Sequence, residues 1–201
     1  EVDFSKFILI AESWIICPLL VMTLAFGLMH LIKLVLRRFQ TSSILFQQAF
    51  GYLAIVSSCY VAYSMGANNA GNAVGPVANL NIFPPKVLLF IGGVSIAVGA
   101  WTYGRKVADT VGKGITPLDI PGAFVAQVSS AFGMHLFSMF GIPVSTSSAI
   151  VGAVVGVGLV KGAGGISLRT ILTILIGWVL TPTLAGTVSY LLYVVIKMSL
   201  A

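Results

Sequence analysis

The chain contains one stretch of 27 residues, Thr170–Ile196, without a single charged side chain. An α-helix rises about 1.5 Å per residue, so about 20 apolar residues are enough to cross the roughly 30 Å of hydrocarbon in a bilayer. The stretch therefore predicts a transmembrane helix. The rest of the chain agrees, because 58% of its 201 residues are hydrophobic and 8% are charged, against about 25% charged in a soluble domain. The sequence predicts an all-α polytopic membrane protein.

Several further segments complete the predicted membrane domain. From the N-terminus, we predict a helix at 7–32, a broken helix at 44–80, a helix at 86–103, a re-entrant helical hairpin at 120–160 and a helix at 170–197. This arrangement places eight of the eleven Lys and Arg residues in basic loops on one face, namely loops 33–43, 104–119 and 161–169. By the positive-inside rule that face is cytoplasmic. We attribute the net charge of +6 to membrane orientation rather than to nucleic-acid binding.

Two of the predicted segments are interrupted by polar residues and helix breakers. Residues 64–77 read SMGANNAGNAVGPV, and residues 141–148 read GIPVSTSS. Pro143 ends the first arm of the hairpin, because the residue before a proline disfavours the α region, and Ser145–Ser148 offer N-caps for the second arm. Irregular backbone at membrane depth is tolerated only where it is buried in protein or lines a watery cavity. The two interruptions are therefore the candidate functional segments.

An internal repeat indicates a transporter architecture. Residues 14–33 and 178–197 align at a constant offset of 164 with seven identities, including a Trp and a Pro near the start of each copy. The predicted topology makes the two copies end on opposite faces, which is typical of an inverted-repeat transporter. We interpret residues 1–43 as the closing helix of a preceding repeat plus a basic cytoplasmic loop, and residues 44–201 as one complete repeat. The chain, which does not begin with Met, is then half of a larger transporter.

Both interruptions offer hydrogen-bond donors without fixed charge, as an anion site inside a membrane requires. A helix that restarts near Asn69–Asn72 and another near Ser145–Ser148 would each present unpaired N–H groups and the positive end of the helix dipole. If these two ends meet near the midplane, their amides and hydroxyls can surround a tetrahedral oxyanion. The oxygens of Asn68, Asn69 and Asn72 are candidate ligands for Na⁺.

Each of these residues also has a purely structural interpretation. Gly152, Gly156 and Gly158 are spaced for close packing of transmembrane helices, and we interpret them as packing residues. A single asparagine in a helix would be interpreted in the same way, but three within five positions, flanked by glycines, favour function. Ser145–Ser148 after a proline break also favours function, whereas Gln127 is left open between the two interpretations.

Catalytic chemistry finds no support in the sequence. There is no nucleophile–base pair, no metal-ligand cluster and no P-loop, so neither an enzyme nor an ATP-driven pump is expected. His30 and His135 are isolated, and we interpret them as packing or interface residues rather than as a proton relay.

Two long motifs resemble those of a known family. Residues 66–76 read GANNAGNAVGP and residues 141–152 read GIPVSTSSAIVG; they resemble the signatures GANDVANAxGP and PVSTTHxIVG of the PiT family of inorganic phosphate transporters. Their order and spacing resemble the C-terminal half of such a protein, over about residues 44–197. The resemblance implies phosphate uptake coupled to Na⁺ or H⁺ by an inverted-repeat membrane protein, with phosphate and cations bound where the two motifs converge.

The resemblance also implies roles for individual residues. The implied phosphate ligands are Ser145, Thr146, Ser147, Asn72 and Gln127, and the implied cation ligands are Asn68, Asn69, Asn72 and Ser145, with Na⁺ held through Asn68, Asn69 and Asn72. Asn69 stands where the family usually has Asp, Gln127 where many members have Glu, and Ser147 and Ser148 replace Thr and His. These departures remove charge, so the acidic ligands are expected from the other half of the transporter. The missing His favours Na⁺ over H⁺ as the coupling ion.

The leading hypothesis is a multi-pass transporter of the cell membrane that imports phosphate by symport with Na⁺ through alternating access. It needs no cofactor besides the coupling ion. The expected partners are phosphate, Na⁺, the other half of the transporter and the lipid bilayer, with a homodimer implied by the resemblance alone and no nucleic acid. The alternatives are an H⁺-coupled phosphate or sulfate permease, a passive channel, and a non-transporting membrane scaffold subunit.

Overall fold

The computed structural model describes residues 4–39, 44–80 and 82–200, and these residues contain helices and turns but no strand. Parts of the predicted segments 1–43 and 44–201, namely residues 1–3, 40–43, 81 and 201, lie outside the described residues. The helices are α1 (Phe4–Phe39), α2 (Ile44–Met65), α3 (Gly71–Ala78), α4 (Pro85–Gly114), α5 (Ile120–Met139), α6 (Thr146–Lys161) and α7 (Leu168–Leu200). A π-helical turn at Gly66–Ala70 joins α2 to α3, and a 3₁₀ turn at Ala163–Gly165 follows α6.

The predicted all-helical membrane architecture is confirmed. Five helical segments in the described part of the chain are long and apolar enough to cross a membrane, namely Ile8–Leu36, Phe46–Ala78, Pro85–Gly114, Ile120–Met139 and Leu168–Met198. The apolar helix α6 has 16 residues and is shorter than these. The chain divides into two compact units, Glu1–Ile166 and Ser167–Ala201.

Helix α4 continues well beyond the predicted span 86–103, so Arg105, Lys106 and Lys113 lie on a helix and not in a loop. Lys and Arg are good helix formers, and charge marks where a helix leaves hydrocarbon, not where the helix stops. The extension carries an i,i+4 ion pair between Lys113 Nζ and Asp109 Oδ1 at 2.7 Å. The helix ends at Gly114, two residues before Thr116, which precedes Pro117 and therefore disfavours the helical conformation.

The interruption of the second segment takes a form that differs from our expectation. Met65, the turn Gly66–Ala70 and Gly71 continue as one helical path, with both flanking residues in the right-handed α region. The prediction of a free helix N-terminus near Asn69–Asn72 is therefore wrong. Glycine and asparagine lower helix propensity without forbidding the helix, and the first proline in this stretch, Pro76, comes only after the turn. The sequence widens the helix into a π-turn, a feature that is frequent at functional sites.

Helices α5 and α6 form the predicted hairpin. Asp119 caps α5 by accepting from Gly122 N–H at 3.0 Å, and Ser145 caps α6 by accepting from Ser148 N–H at 3.3 Å. The tip between the arms turns through Gly141, whose φ of +68° favours glycine. The open ends of the two arms meet where Lys161 Nζ lies 2.9 Å from Asp119 Oδ1.

The cap at Asp119 gives a first testable prediction. Asp119→Ala removes the Gly122 cap and is expected to cost about 1 kcal/mol of unfolding free energy. Asp119→Asn keeps a capping oxygen and loses only the ion pair to Lys161, which is partly exposed and contributes at most about 1 kcal/mol. Unfolding midpoints of the two variants in detergent check the prediction, and equal losses would show that the ion pair matters more than the cap.

The hairpin lies between α1 and α2, and this arrangement makes the core of the first unit. Helix α6 runs parallel to α1, since Gly152 lies against Pro18 and Gly156 against Met22. Helix α5 runs parallel to α2, since the Phe50 and Phe124 rings are 5.7 Å apart and, further along, Tyr63 packs on His135.

The packing interpretation of the α6 glycines is confirmed. A Cβ at Gly152 would lie 2.4 Å from the Pro18 carbonyl oxygen, and one at Gly156 would lie 2.3 Å from the Met22 carbonyl oxygen. Gly158 packs against the side chains of Ile166 and Thr116. The glycines therefore let two backbones approach closely, as small residues do in membrane helix pairs.

Helix α7 forms the second unit. Ser167 caps it by accepting from Thr170 N–H at 3.3 Å. Thr181 and Thr183 donate to the carbonyls of Gly177 and Val179, both at 2.7 Å. These bonds satisfy the hydroxyls inside the helix that carries the 27-residue uncharged stretch.

Candidate functional site

The π-helical turn and the hairpin tip are joined by the side chain of Asn68. Its Oδ1 accepts from the Val144 N–H at 3.2 Å, and its Nδ2 donates to the Val144 carbonyl at 2.7 Å. Both residues are buried, with exposures of 5% and 4%. The primary amide matches the donor and acceptor of a peptide unit, so one side chain satisfies both backbone groups of Val144. We call this pairing the amide clamp.

A second pair of contacts extends the clamp to the first residue of α6. Thr146 Oγ1 donates to Asn69 Oδ1 at 2.9 Å, and Asn68 Nδ2 donates to the same oxygen at 2.9 Å. The amide oxygen of Asn69 therefore accepts two hydrogen bonds. Asn68, Asn69 and Thr146, predicted from two distant motifs, are brought into direct contact.

The start of α6 is a true helix N-terminus beside this cluster. Ser145 Oγ accepts from Ser148 N–H and lies 3.1 Å from Ser147 Oγ, while Ala149 N–H bonds the Ser145 carbonyl. The N–H groups of Thr146 and Ser147 belong to the first turn, where a helix provides no backbone acceptor. Unpaired amides, hydroxyls and the positive end of the dipole make this end suitable for an anion.

A cavity of about 130 Å³ lies where the π-turn and α3 meet the tip. It is lined by residues of the π-turn and α3 and by residues of the tip and the end of α5, namely Ala67, Asn68, Gly71, Asn72, Ser138, Gly141, Ile142 and Pro143. None of these side chains is ionisable. The predicted residue Asn72 is exposed and belongs to this cavity and not to the cluster of Asn69 and Thr146.

Gln127 does not join the other predicted site residues. Its Oε1 accepts hydrogen bonds from Ser57 and Ser58, the latter at 3.2 Å. Ser58 precedes Asn68 by ten residues, which is about 15 Å along a helix. Gln127 therefore lies apart from the other predicted ligands: α5 continues for twelve more residues, over three turns, before it ends at Met139, and two serines engage the Gln127 amide oxygen.

Sequence reasoning missed two parts of the site. The backbone of Val144 is the partner of Asn68 in the amide clamp, and a pattern of side chains does not predict a contact with the main chain. The hydroxyl of Ser138 is buried without a hydrogen-bond partner among the described residues; a lone serine near the end of an apolar arm was the available signal. The contacts of Ser57 and Ser58 with Gln127 were not predicted either.

The two histidines contact aromatic side chains of the helices. The His135 Nδ1 atom is 3.0 Å from the Tyr60 hydroxyl, and its ring packs edge-on against Tyr60 and Tyr63. His30 is exposed and stacks on Phe26. Within residues 4–39, 44–80 and 82–200, no group of three or more His, Cys, Asp or Glu is placed to hold a metal ion.

Comparison with known proteins identifies relatives of the whole arrangement. A model of the phosphate transporter family matches residues 1–189. The chain is 36% identical, over 75% of its length, to a Chlamydia muridarum protein with the provisional name of phosphate permease, and 34% identical, over 70% of its length, to human sodium-dependent phosphate transporter 2. It covers 38% and 23% of those two proteins, so it spans less than half the length of the curated relatives that it matches.

A solved structure shares the fold. This structure, of the sodium-dependent phosphate transporter, superposes with a TM-score of 0.78 at 26% sequence identity. The match covers 92% of this chain and 66% of that one.

Proposed function

We propose, on the premise that this chain belongs to the phosphate transporter family, that it forms part of a secondary active transporter that imports inorganic phosphate by symport with Na⁺. The family consists of transporters and is not an enzyme class. The observation that carries the proposal is the junction of the π-turn with the start of α6, where Asn68 and Asn69 contact Val144 and Thr146. It unites two polar segments that the sequence separates by about 70 residues.

Phosphate binding is assigned to the N-terminus of α6. The donors there are the hydroxyls of Ser145, Thr146 and Ser147 and the first-turn amides, all neutral, so they balance an anion without a fixed cation nearby. Asn72, on α3, is the further proposed phosphate ligand through its side-chain NH₂ group, which leaves its oxygen free for a cation. We leave Gln127 out of this set because of its contacts with Ser57 and Ser58.

Cation binding is assigned to the amide oxygens beside the phosphate. Asn68, Asn69 and Asn72, with Ser145, supply neutral oxygens, which Na⁺ accepts as ligands at broken-helix sites. The Asn69 oxygen already accepts two hydrogen bonds, so it becomes a ligand only as one of them is released. The sodium dependence named for relatives such as human sodium-dependent phosphate transporter 2 supports Na⁺ as the ion.

The larger architecture is part of the same proposal. Residues 1–43 close a preceding repeat and residues 44–201 form the next, inverted one, so that a partner half completes the site and supplies its acidic groups. Alternating access then moves one repeat against the other around the bound ions. We place the protein in the cell membrane as a multi-pass transporter, with a homodimer as the proposed assembly. The membrane potential contributes about 2.3 kcal/mol per charge per 100 mV to uptake.

Thermal unfolding of the purified full-length transporter, with both halves present, tests the function directly in detergent. The midpoint is measured with phosphate or sulfate, each in NaCl or choline chloride. A ligand at 100 times its dissociation constant stabilises the folded state by about 2.7 kcal/mol. We expect a rise that needs Na⁺ and phosphate together. Equal rises with sulfate would support a general oxyanion permease, and a rise with phosphate in choline would point to H⁺ coupling.

Two other outcomes separate the remaining alternatives. The absence of any shift contradicts the proposal and supports the scaffold interpretation. Phosphate flux into liposomes that ignores the Na⁺ gradient supports a passive channel.

The site assignment gives a second prediction. Ser145→Ala combined with Asn72→Ala is expected to abolish Na⁺-dependent phosphate uptake by proteoliposomes while leaving the protein folded. Ser167→Ala is the matched control, because Ser167 caps α7 with the same 3.3 Å geometry as Ser145 caps α6. Loss of one cap costs about 1 kcal/mol, so both proteins should unfold at similar temperatures. Retained uptake in the double variant would refute the site.

A further inference from the structure

We propose that Ser138 joins Asn72 as a ligand of the coupling Na⁺, in the cavity where the π-turn and α3 meet the hairpin tip. This inference rests on the proposed function and assigns a ligand, Ser138, outside both sequence motifs. The cavity of about 130 Å³ is lined by both residues. A water molecule takes about 30 Å³ of liquid, so the space accommodates an ion with part of its hydration shell.

The Ser138 hydroxyl is the first observation that points to a ligand. Its oxygen is buried and forms no hydrogen bond with any residue of the described chain. Most buried polar atoms have a partner, and one that lacks it calls for an explanation such as a bound ion. Serine has a single side-chain torsion with three staggered wells, so this hydroxyl can turn to the cavity without movement of α5.

The electrostatics of the tip favour a cation near the end of α5. Helix α5 ends at Met139, and the carboxyl end of a helix carries a partial negative charge that stabilises cations. The N-terminus of α6, which follows the tip along the chain, has the opposite polarity. The hairpin therefore presents a positive helix end to an anion and a negative helix end to a cation within one short turn.

The hydrogen bonds of the tip leave none of its backbone donors free for an anion in this cavity. The Gly141 N–H donates to the Ser138 carbonyl and the Ile142 N–H to the Phe137 carbonyl, and Pro143 has no N–H. Nδ2 of Asn68 is engaged by the amide clamp. Backbone donors are thus used up around the cavity, whereas Ser138 and Asn72 offer neutral oxygens, the ligand type that Na⁺ takes beside helix carboxyl ends.

The test compares Ser138 with a second serine of the same helix. Ser129 also has a buried hydroxyl without a partner among the described residues, but it does not line the cavity. Nine residues separate the two, which puts them on opposite faces of α5. The half-saturating Na⁺ concentration is measured for wild type, Ser138→Ala and Ser129→Ala, from unfolding midpoints at fixed phosphate and from uptake by proteoliposomes.

Loss of one oxygen ligand is expected to raise the half-saturating Na⁺ concentration of Ser138→Ala about tenfold. Ser129→Ala should match wild type, and potassium chloride should not replace NaCl. Asn72→Asp should shift Na⁺ binding the opposite way, towards lower concentrations, since a carboxylate attracts the cation; opposite shifts cannot come from general destabilisation.

An unchanged half-saturating Na⁺ concentration in Ser138→Ala, or an equal shift in Ser129→Ala, overturns the assignment of Ser138. If wild-type protein still binds phosphate in a Na⁺-dependent way, the proposed function stands. Wild-type protein that lacks Na⁺-dependent phosphate binding refutes the proposed function itself.

Discussion

Gly152→Ala combined with Gly156→Ala is expected to separate α6 from α1 and to lower the unfolding midpoint by roughly 5 to 10 °C. Each new methyl group would lie within 2.4 Å of a carbonyl oxygen, that of Pro18 or that of Met22. These oxygens belong to the backbone, so no side-chain rotation relieves the overlap and the helices must move apart. The measurement is the unfolding midpoint in detergent, together with the yield of monodisperse protein.

Gly51→Ala combined with Gly93→Ala is the matched control for the glycine prediction. Both glycines lie inside helices, and a Cβ at either meets nothing within 4 Å. Alanine is favoured over glycine in a helix by up to about 1 kcal/mol, so this protein should unfold at the same temperature as wild type or slightly higher. If the Gly152 and Gly156 variant were equally stable, the close approach of α1 and α6 would be wrong.

Asn68→Leu is expected to have the largest effect on transport. Leucine fills a similar volume but leaves the Val144 N–H and carbonyl buried without partners, at about 1–3 kcal/mol for each group. Even about 2 kcal/mol corresponds to a thirtyfold change in an equilibrium between docked and undocked tips. We therefore expect Na⁺-dependent phosphate uptake to fall about thirtyfold or more, measured in proteoliposomes at equal amounts of folded protein.

Asn79→Leu serves as the control for the clamp variant. Asn79 is exposed just after α3 and does not line the cavity at the tip. Uptake should be close to that of wild type. Wild-type uptake by Asn68→Leu would show that the tip keeps its position without the amide clamp, and would remove the main support for the proposed site.

The sequence predicts those features of this fold that depend on neighbouring residues better than those that depend on distant ones. Hydrophobic length is local, so the helices themselves follow from runs such as Thr170–Ile196. The N-cap at Ser145 also follows, because a proline break followed by serines has few alternatives. The sequence gives only a weak signal for where a helix ends once it has left the membrane. Helix α4 accordingly continues through three basic residues to Gly114.

The candidate site is predictable in composition but not in geometry. The motifs supplied Asn68, Asn69 and Thr146, which do meet. The helix path through residues 66–70 was not predictable, since glycine and asparagine permit both a break and a π-turn. The position of Gln127 was not predictable either, because a helical arm can carry a polar residue at any depth and the packing against Ser57 and Ser58 determines its partners.

The pairing of α1 with α6 has a consequence for how the protein is made. Lys33 Nζ donates to the Val160 carbonyl at 2.6 Å, across 127 residues of sequence. A ribosome adds about 5–20 residues per second, so α1 enters the bilayer roughly 6 to 25 seconds before its partner exists. During that interval Cys17, Val21 and Ala25, fully buried in the finished fold, face lipid or the insertion machinery. A helix that must wait in this way needs a surface tolerated by both lipid and protein, and small apolar side chains provide it.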